Sequence, residues 1–148
     1  MIRSAVAIWK GSPAAGEGEV STTSGIMSKA LYSFGSSTGN EPCTSPSEML
    51  AAAVASCMSL IIAQELAKLG IRNEYVKTEA ELTLEEHRGR WQITGIELRA
   101  ASNLSERDGE KFHHACKSAR TKCPISHALN VPIKLTGVLE PESHLATV

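Results

Sequence analysis

The chain has 148 residues, of which 42% are hydrophobic and 21% are charged, and its formal net charge is −1. These values are typical of one soluble globular domain with a substantial core, so we interpret residues 1–148 as a single domain. The near-zero charge gives no reason to expect nucleic acid or an anionic membrane as a partner. The N-terminus lacks the apolar segment of a signal peptide, and we therefore expect a cytoplasmic protein.

The first part of the chain predicts short strands joined by turns. Residues 2–9 alternate in the manner of a strand. The glycine-rich residues 11–18 predict a turn, and 19–23 predict the returning strand of a hairpin. A further short strand is predicted within 27–34. The small and polar residues 35–44 then predict a loop.

A long helix is predicted between Ser45 and Gly70. Ser45 is suited to the N-cap, Pro46 to the first helical position, and Glu48 to the reciprocal position of a capping box. Gly70, which follows a lysine in the last turn, predicts the end of the helix. Both ends are therefore marked by local signals.

The middle of this predicted helix is apolar on all sides. Residues 49–63 contain no charged side chain, so we expect the helix to be buried rather than to lie on a surface. The apolar run is shorter than the ~20 residues that a spanning helix needs, and we expect no membrane association. Cys57 lies near its mid-length.

The remaining residues predict a hairpin, two helices and a closing strand. Residues 75–84 and 91–101 alternate as an antiparallel hairpin does. A helix is predicted over 106–122, a proline separates it from a short helix over 125–129, and the last strand is predicted over 131–139. The predicted inward face of the second helix comprises Phe112, Ala115, Cys116 and Ala119. This order of elements predicts an α+β fold.

Two of the four cysteines are candidates for chemistry. Cys57 lies in a buried helix, where a free cysteine is more often a small hydrophobic residue. Cys123 precedes a proline at a helix break, where N–H groups of the next helix favour a thiolate. A buried thiol and a second thiol within reach would form the layout of a reactive and a resolving cysteine. Cys116 is interpreted as a core residue and Cys43 as a loop thiol without a role.

No metal site is predicted. The cysteine spacings contain no CxxC pair, which is unfavourable for structural zinc. His113 and His114 are adjacent on a helix and point in different directions, so surface positions are favoured over joint ligation. For His127, which is close to Cys123 in sequence, a surface position is favoured over a role in tuning the thiol.

Two segments resemble the cysteine motifs of the OsmC/Ohr family. Residues 44–59 (TSPSEMLAAAVASCMS) resemble the region of its first cysteine, and residues 122–129 (KCPISHAL) resemble its second-cysteine motif. The resemblance covers essentially the whole chain and is closer to the OsmC branch. It implies an OsmC-like α+β fold with antiparallel sheets and a long central Cys-bearing helix. It also implies an intertwined homodimer with active sites at the subunit interface.

The resemblance implies a thiol peroxidase that reduces organic hydroperoxides in oxidative-stress defence. In that role Cys57 is the peroxidatic cysteine, whose thiolate attacks the peroxide and becomes a sulfenic acid. Cys123 is the resolving cysteine, and an external dithiol reduces the resulting disulfide. The resemblance implies neither a metal nor an organic cofactor.

The chain departs from the family pattern at two positions. The arginine that pairs with the peroxidatic thiolate aligns with Ser37, and the glutamate that holds it aligns with Ser47. The sequence has no arginine between Arg3 and Arg72, although Lys29 is a possible substitute. A buried thiol without a nearby cation has a raised pKa. Two alternatives therefore stay open: a protein that binds a small apolar or electrophilic ligand, and a redox sensor whose disulfide is a signal.

Overall fold

The structure is a computed structural model that describes residues 1–13, 15–33, 42–72 and 75–140. The chain divides into two compact units, Met1–Leu50 and Ala51–Val148. The first unit holds three strands and the start of the long helix. The second holds the remainder of that helix, three further strands and two further helices.

The first unit contains an antiparallel sheet. Its strands are β1 (Ala5–Lys10), β2 (Glu17–Thr22) and β3 (Ala30–Tyr32), in the order β1-β2-β3. All three strands predicted from the sequence are confirmed, although the third is shorter than the predicted segment. Thr44 pairs with Tyr32 and leads the chain into the long helix.

The long helix, α1, spans Pro46–Lys68 and has the predicted caps. The Glu48 N–H donates to Ser45 Oγ at 3.2 Å, and the Ser45 N–H donates to Glu48 Oε2 at 3.1 Å, which completes the capping box. At the other end, Gly70 has a φ of 71°, and the N–H groups that follow the helix return to carbonyls of its last turn. This is the Schellman arrangement that glycine permits.

α1 is buried on one side only, which corrects the expectation of a helix buried all round. Its buried face comprises Val54, Met58, Ile61, Ile62, Glu65 and Leu66. The exposed positions along its middle recur every four residues and comprise Ala52, Ser56, Leu60 and Gln64. Leu60 is 60% exposed. Small and apolar side chains occupy most of both faces, so hydrophobicity alone does not distinguish the covered face from the uncovered one.

α1 is also long and apolar enough to cross a membrane by length and composition, since an 18-residue window within it has a mean hydropathy of 1.7. This property is weak evidence for a membrane span, because core helices of soluble proteins share it.

The second unit contains a mixed sheet in the order β4-β5-β6. β4 (Lys77–His87) and β5 (Arg90–Ser102) form the predicted hairpin, and Arg88 and Gly89 both have positive φ, as a two-residue hairpin turn requires. β6 (Ile133–Leu139) runs parallel to β5. The expected antiparallel pairing therefore holds for the hairpin but not for β6, because the helices between β5 and β6 return the chain to the same end of the sheet.

Two helices connect β5 to β6. A 3₁₀ turn (Glu106–Asp108) leads into α2 (Gly109–Lys122), and α3 (Pro124–Ala128) follows after one residue. The predicted inward face of α2 is confirmed, since Phe112, Ala115, Cys116 and Ala119 are all buried. They form one apolar cluster with the buried face of α1 and with Ile96, Leu98 and Ala100 of β5. This cluster holds the end of α2 against the middle of α1.

Candidate functional site

The structure brings Cys57 and Cys123 together. Their Sγ atoms lie 3.1 Å apart, within hydrogen-bond distance, and both cysteines are free thiols. Cys57 is half-buried on α1, whereas Cys123 lies between α2 and α3 and is 0% exposed. Because the sulfurs already touch, a disulfide between them requires only a small movement.

Local sequence explains the position of Cys123. A residue before proline is driven from helical to extended backbone, and Cys123 has φ −70° and ψ 110° ahead of Pro124. It therefore ends α2 and serves as the N-cap of α3. Its sulfur accepts a hydrogen bond from the Ser126 N–H at 3.4 Å. This is the N–H donor that the sequence predicts for a thiol at this break.

The two thiols have opposite pKa shifts. Burial alone raises the pKa of Cys123, but the side chain and N–H of Ser126, the Cys57 thiol and the Ile125 N–H together outweigh burial and lower it. The pKa of Cys57 is raised, first by burial and then by its hydrogen bond with Cys123, and the Ile125 N–H offsets only part of this. The pair titrates as a unit, and its first proton leaves from Cys123.

A buried carboxylate lies beside the site. Glu65 is 8% exposed, and it accepts hydrogen bonds from Lys122 Nζ and Lys68 Nζ, both at 2.6 Å, and from Ser118 Oγ at 2.7 Å. The two lysines, Lys122 first, and then Ser118 lower the pKa of Glu65 to about 2. Because Lys122 precedes Cys123, this cluster attaches the segment that carries Cys123 to α1.

Sequence reasoning missed Glu65, Lys122 and Ser126. Glu65 is an acidic residue on an otherwise apolar helix, and Ser126 stands three residues after the N-cap cysteine, the position whose N–H a cap residue accepts. The signal for Ser126 is local and can be read from the sequence. The position of Glu65 predicts a buried charge but not its partner, because Lys122 lies on another helix.

The other two cysteines are Cys116, in the second unit, and Cys43, in the first. Cys116 belongs to the core, as predicted, and burial raises its pKa to about 11. Cys43 is half-buried in the first unit, and its Sγ lies 3.4 Å from Ser33 Oγ.

Three histidines and two serines are also candidates from the sequence, and the structure describes all of them except Ser37. His113, His114 and His127 are exposed, as predicted. The described part of the chain contains no group of three or more His, Cys, Asp or Glu residues that could hold a metal ion. The Ser47 hydroxyl lies 3.0 Å from Ser45 Oγ at the start of α1, whereas Ser37 lies outside the described residues.

Comparisons with known proteins agree with this architecture. The family model of OsmC-like proteins matches residues 38–136. The chain is 30% identical over 127 residues to peroxiredoxin OsmC of Escherichia coli (strain K12). The aligned residues make up 86% of this chain and 89% of the relative. Peroxiredoxin OsmC of Shigella flexneri matches with the same identity and coverage.

Two solved structures show the same fold. An OsmC-like protein of unknown function from Vibrio cholerae has a TM-score of 0.75 at 20% identity, covering 93% of this chain and 99% of the other. The organic hydroperoxide resistance protein OhrB of Bacillus subtilis has a TM-score of 0.69 at 21% identity, covering 91% and 98%. The chain belongs to the OsmC-like family, as its two cysteine motifs predict.

Proposed function

We propose that this protein is a cysteine-dependent peroxidase that reduces organic hydroperoxides in defence against oxidative stress. The observation that carries the proposal is the 3.1 Å separation between Cys57 Sγ and Cys123 Sγ. Membership of the OsmC-like family and a relative named a peroxiredoxin support a peroxide-related redox role. A fold shared with an organic hydroperoxide resistance protein is consistent with the substrate class.

The two thiols supply the two electrons that the reaction needs. The Cys57 thiolate attacks the distal oxygen of the hydroperoxide, the O–O bond breaks, and the products are a Cys57 sulfenic acid and an alkoxide, which takes a proton from solvent to give the alcohol. Cys123 then attacks the Cys57 sulfur, a disulfide forms, and the hydroxyl group leaves as water. An external dithiol reduces the disulfide by thiol exchange and restores both thiols.

Turnover of cumene hydroperoxide with dithiothreitol as reductant tests this proposal. Cys57→Ser should abolish turnover, and Cys123→Ser should stop disulfide formation and recycling. Cys116→Ala is the matched control, because it removes a buried thiol outside the pair and should retain turnover. Full turnover by the Cys57→Ser variant would refute the proposal.

We propose further that the whole chain acts as one domain within a homodimer, in the cytoplasm. The exposed row on α1 supports a second copy as the partner. Ala52, Ser56, Leu60 and Gln64 form an i, i+4 ridge, the surface feature through which helices commonly pack against each other. An exposed leucine in such a ridge gains from being covered.

The raised pKa of Cys57 favours a second candidate, a redox sensor on the same scaffold. A thiol that is mostly protonated reacts slowly, which suits a disulfide that forms as a signal rather than in each catalytic cycle. A sensor would form the Cys57–Cys123 disulfide with hydroperoxide but would not be recycled by any dithiol. Sustained turnover excludes it. A small-ligand binding protein would instead show no oxidation and a saturable ligand-induced rise in Tm.

A further inference from the structure

Glu65 on α1 uses its two carboxylate oxygens for different contacts. Oε1 accepts a hydrogen bond from Lys68 Nζ at 2.6 Å, within the same helix. Oε2 accepts from Lys122 Nζ at 2.6 Å and from Ser118 Oγ at 2.7 Å, both on α2. Ser118 and Lys122 are four residues apart and therefore lie on one face of α2. Oε2 thus joins α1 to the last turn of α2, immediately before Cys123.

Polar contacts contribute much of the attachment of this last turn, residues 119–122. Ala119 is the buried side chain of the turn, and an alanine buries little apolar surface. Arg120 Nε donates to the Ile133 carbonyl at 3.2 Å, which fastens the turn to β6 rather than to α1. The hydrogen bonds to Glu65 therefore hold the turn against the helix that carries Cys57.

We propose that the ion pair between Glu65 and Lys122 positions the Cys123 thiol for the resolving step of the reaction. This inference rests on the proposed peroxidase function. In the resolving step the Cys123 thiolate attacks the sulfur of the Cys57 sulfenic acid, an S–S bond forms and the S–O bond breaks. The hydroxide that leaves takes a proton from solvent to give water. Glu65 and Lys122 are positioning residues, because they act through the adjacent thiol.

The resolving step is sensitive to the position of the attacking sulfur. A disulfide forms only within a narrow range of distances and angles. The two sulfurs lie 3.1 Å apart in the reduced protein, and displacing a reacting group by about 1 Å can cost roughly 100-fold in rate. Because Lys122 is the residue next to Cys123, releasing its side chain from Glu65 allows such a displacement.

The ion pair is present at the pH values at which thiols react. Lys122, then Lys68 and Ser118, lower the pKa of Glu65 to about 2, so the carboxylate is ionised at neutral pH. Glu65 is also 8% exposed, and burial limits the screening of its charge by salt. Loss of the ion pair should therefore slow the resolving step by a similar factor between about pH 6 and pH 9.

A single-turnover experiment separates the resolving step from the oxidation of Cys57. Reduced protein is mixed with equimolar cumene hydroperoxide, and mass spectrometry follows the dimedone-labelled sulfenic acid and the disulfide over time. In Lys122→Met the sulfenic acid should form at the wild-type rate. Its conversion to the disulfide should slow by roughly 10- to 100-fold, so the sulfenic acid should accumulate. A general loss of structure would instead change both steps.

Lys68→Met is the matched control. Lys68 pairs with the same carboxylate at the same distance of 2.6 Å, but it lies on α1, so its loss leaves the connection to α2 intact. Its resolving step should stay near the wild-type rate. Lys122→Arg keeps a cation beside Glu65 and should also resolve at close to the wild-type rate. Lys122→Met leaves Glu65 paired with Lys68 and Ser118, so this variant should fold.

A second measurement requires no peroxide. The protein is equilibrated with mixtures of reduced and oxidised dithiothreitol, and the fraction of Cys57–Cys123 disulfide gives the equilibrium constant for its formation. An ion pair that holds the thiols together raises this constant, because less freedom is lost when the disulfide forms. In Lys122→Met the constant should fall by roughly 10-fold. In Lys68→Met and Lys122→Arg it should stay near the wild-type value.

The outcomes are distinguishable. Equal resolving rates in Lys122→Met and wild type overturn the inference, as does equal slowing in Lys122→Met and Lys68→Met. Slowing that persists in Lys122→Arg overturns it too, because the ion pair is then not the cause. If hydroperoxide forms no sulfenic acid at wild-type Cys57, the peroxidase proposal fails. The dithiothreitol equilibrium then decides alone, and constants that coincide in wild type and Lys122→Met overturn the positioning role.

Discussion

Lys122 Nζ lies 2.6 Å from Glu65 Oε2, so that the residue before Cys123 is bound to the helix that carries Cys57. Glu65 follows Cys57 by about two turns of α1. The ion pair and the thiol pair therefore join the same two segments at neighbouring points. Since Glu65 is nearly buried and also binds Lys68 and Ser118, its charge is an integral part of this junction.

Glu65 should make stability depend on acid pH. Its folded-state pKa of about 2 lies below the ordinary glutamate value of 4.5. A depressed carboxyl pKa contributes stability that is fully present above the unfolded pKa and is lost as pH falls through the folded pKa. The contribution should thus fade between about pH 5 and pH 2. In Glu65→Gln, Tm should be lower at neutral pH and should fall less steeply across that range.

The control for this prediction is Glu97→Gln. Glu97 is exposed on β5 and pairs with Lys134 at 3.1 Å, a surface ion pair of small expected effect. Its Tm profile against pH should follow that of the wild type. A Glu65→Gln profile parallel to the wild type would show that the Glu65 cluster does not stabilise the folded state.

Gly137 on β6 should tolerate no side chain while Cys116 is present. A Cβ at Gly137 would lie 3.0 Å from Cys116 Sγ and 3.2 Å from Phe112 Cε1, closer than ordinary packing allows. Gly137→Ala should therefore destabilise the protein by about 1–3 kcal/mol in urea unfolding. Combined with Cys116→Ala, which removes the sulfur, the loss should be smaller than the sum by at least about 0.5 kcal/mol. Strict additivity would contradict this packing.

Leu60 should be a sensitive probe of self-association. Leu60→Asp places a charge in the exposed ridge of α1, and a buried unpaired charge at a helix–helix contact is strongly unfavourable. Light scattering after gel filtration should show a dimer for the wild type and a monomer for the variant. His114→Asp, at an exposed position on α2, is the control and should remain dimeric. A wild-type monomer, or a dimeric Leu60→Asp variant, would count against α1 as the interface.

Local features were predictable because they depend on neighbouring residues. The capping box of Ser45 and Glu48, the glycine that ends α1 and the inward face of α2 are set within one or two helical turns. The parallel direction of β6 was not predictable from its own residues, since direction depends on the path of the chain through α2 and α3. The one-sided burial of α1 likewise depends on which elements cover it.

Two positions could be predicted without the fold: Cys57 lies midway along an apolar helix, and Cys123 ends a helix before Pro124. Those positions follow from hydrophobic composition, capping and the backbone restriction before proline. The tertiary structure alone decided that the two sulfurs, 66 residues apart, lie 3.1 Å from each other, and that Lys122 serves Glu65 rather than a thiol. It also decided that Cys123 has the lower pKa of the pair, because burial and hydrogen-bond donors from a second helix act on a thiol only after packing.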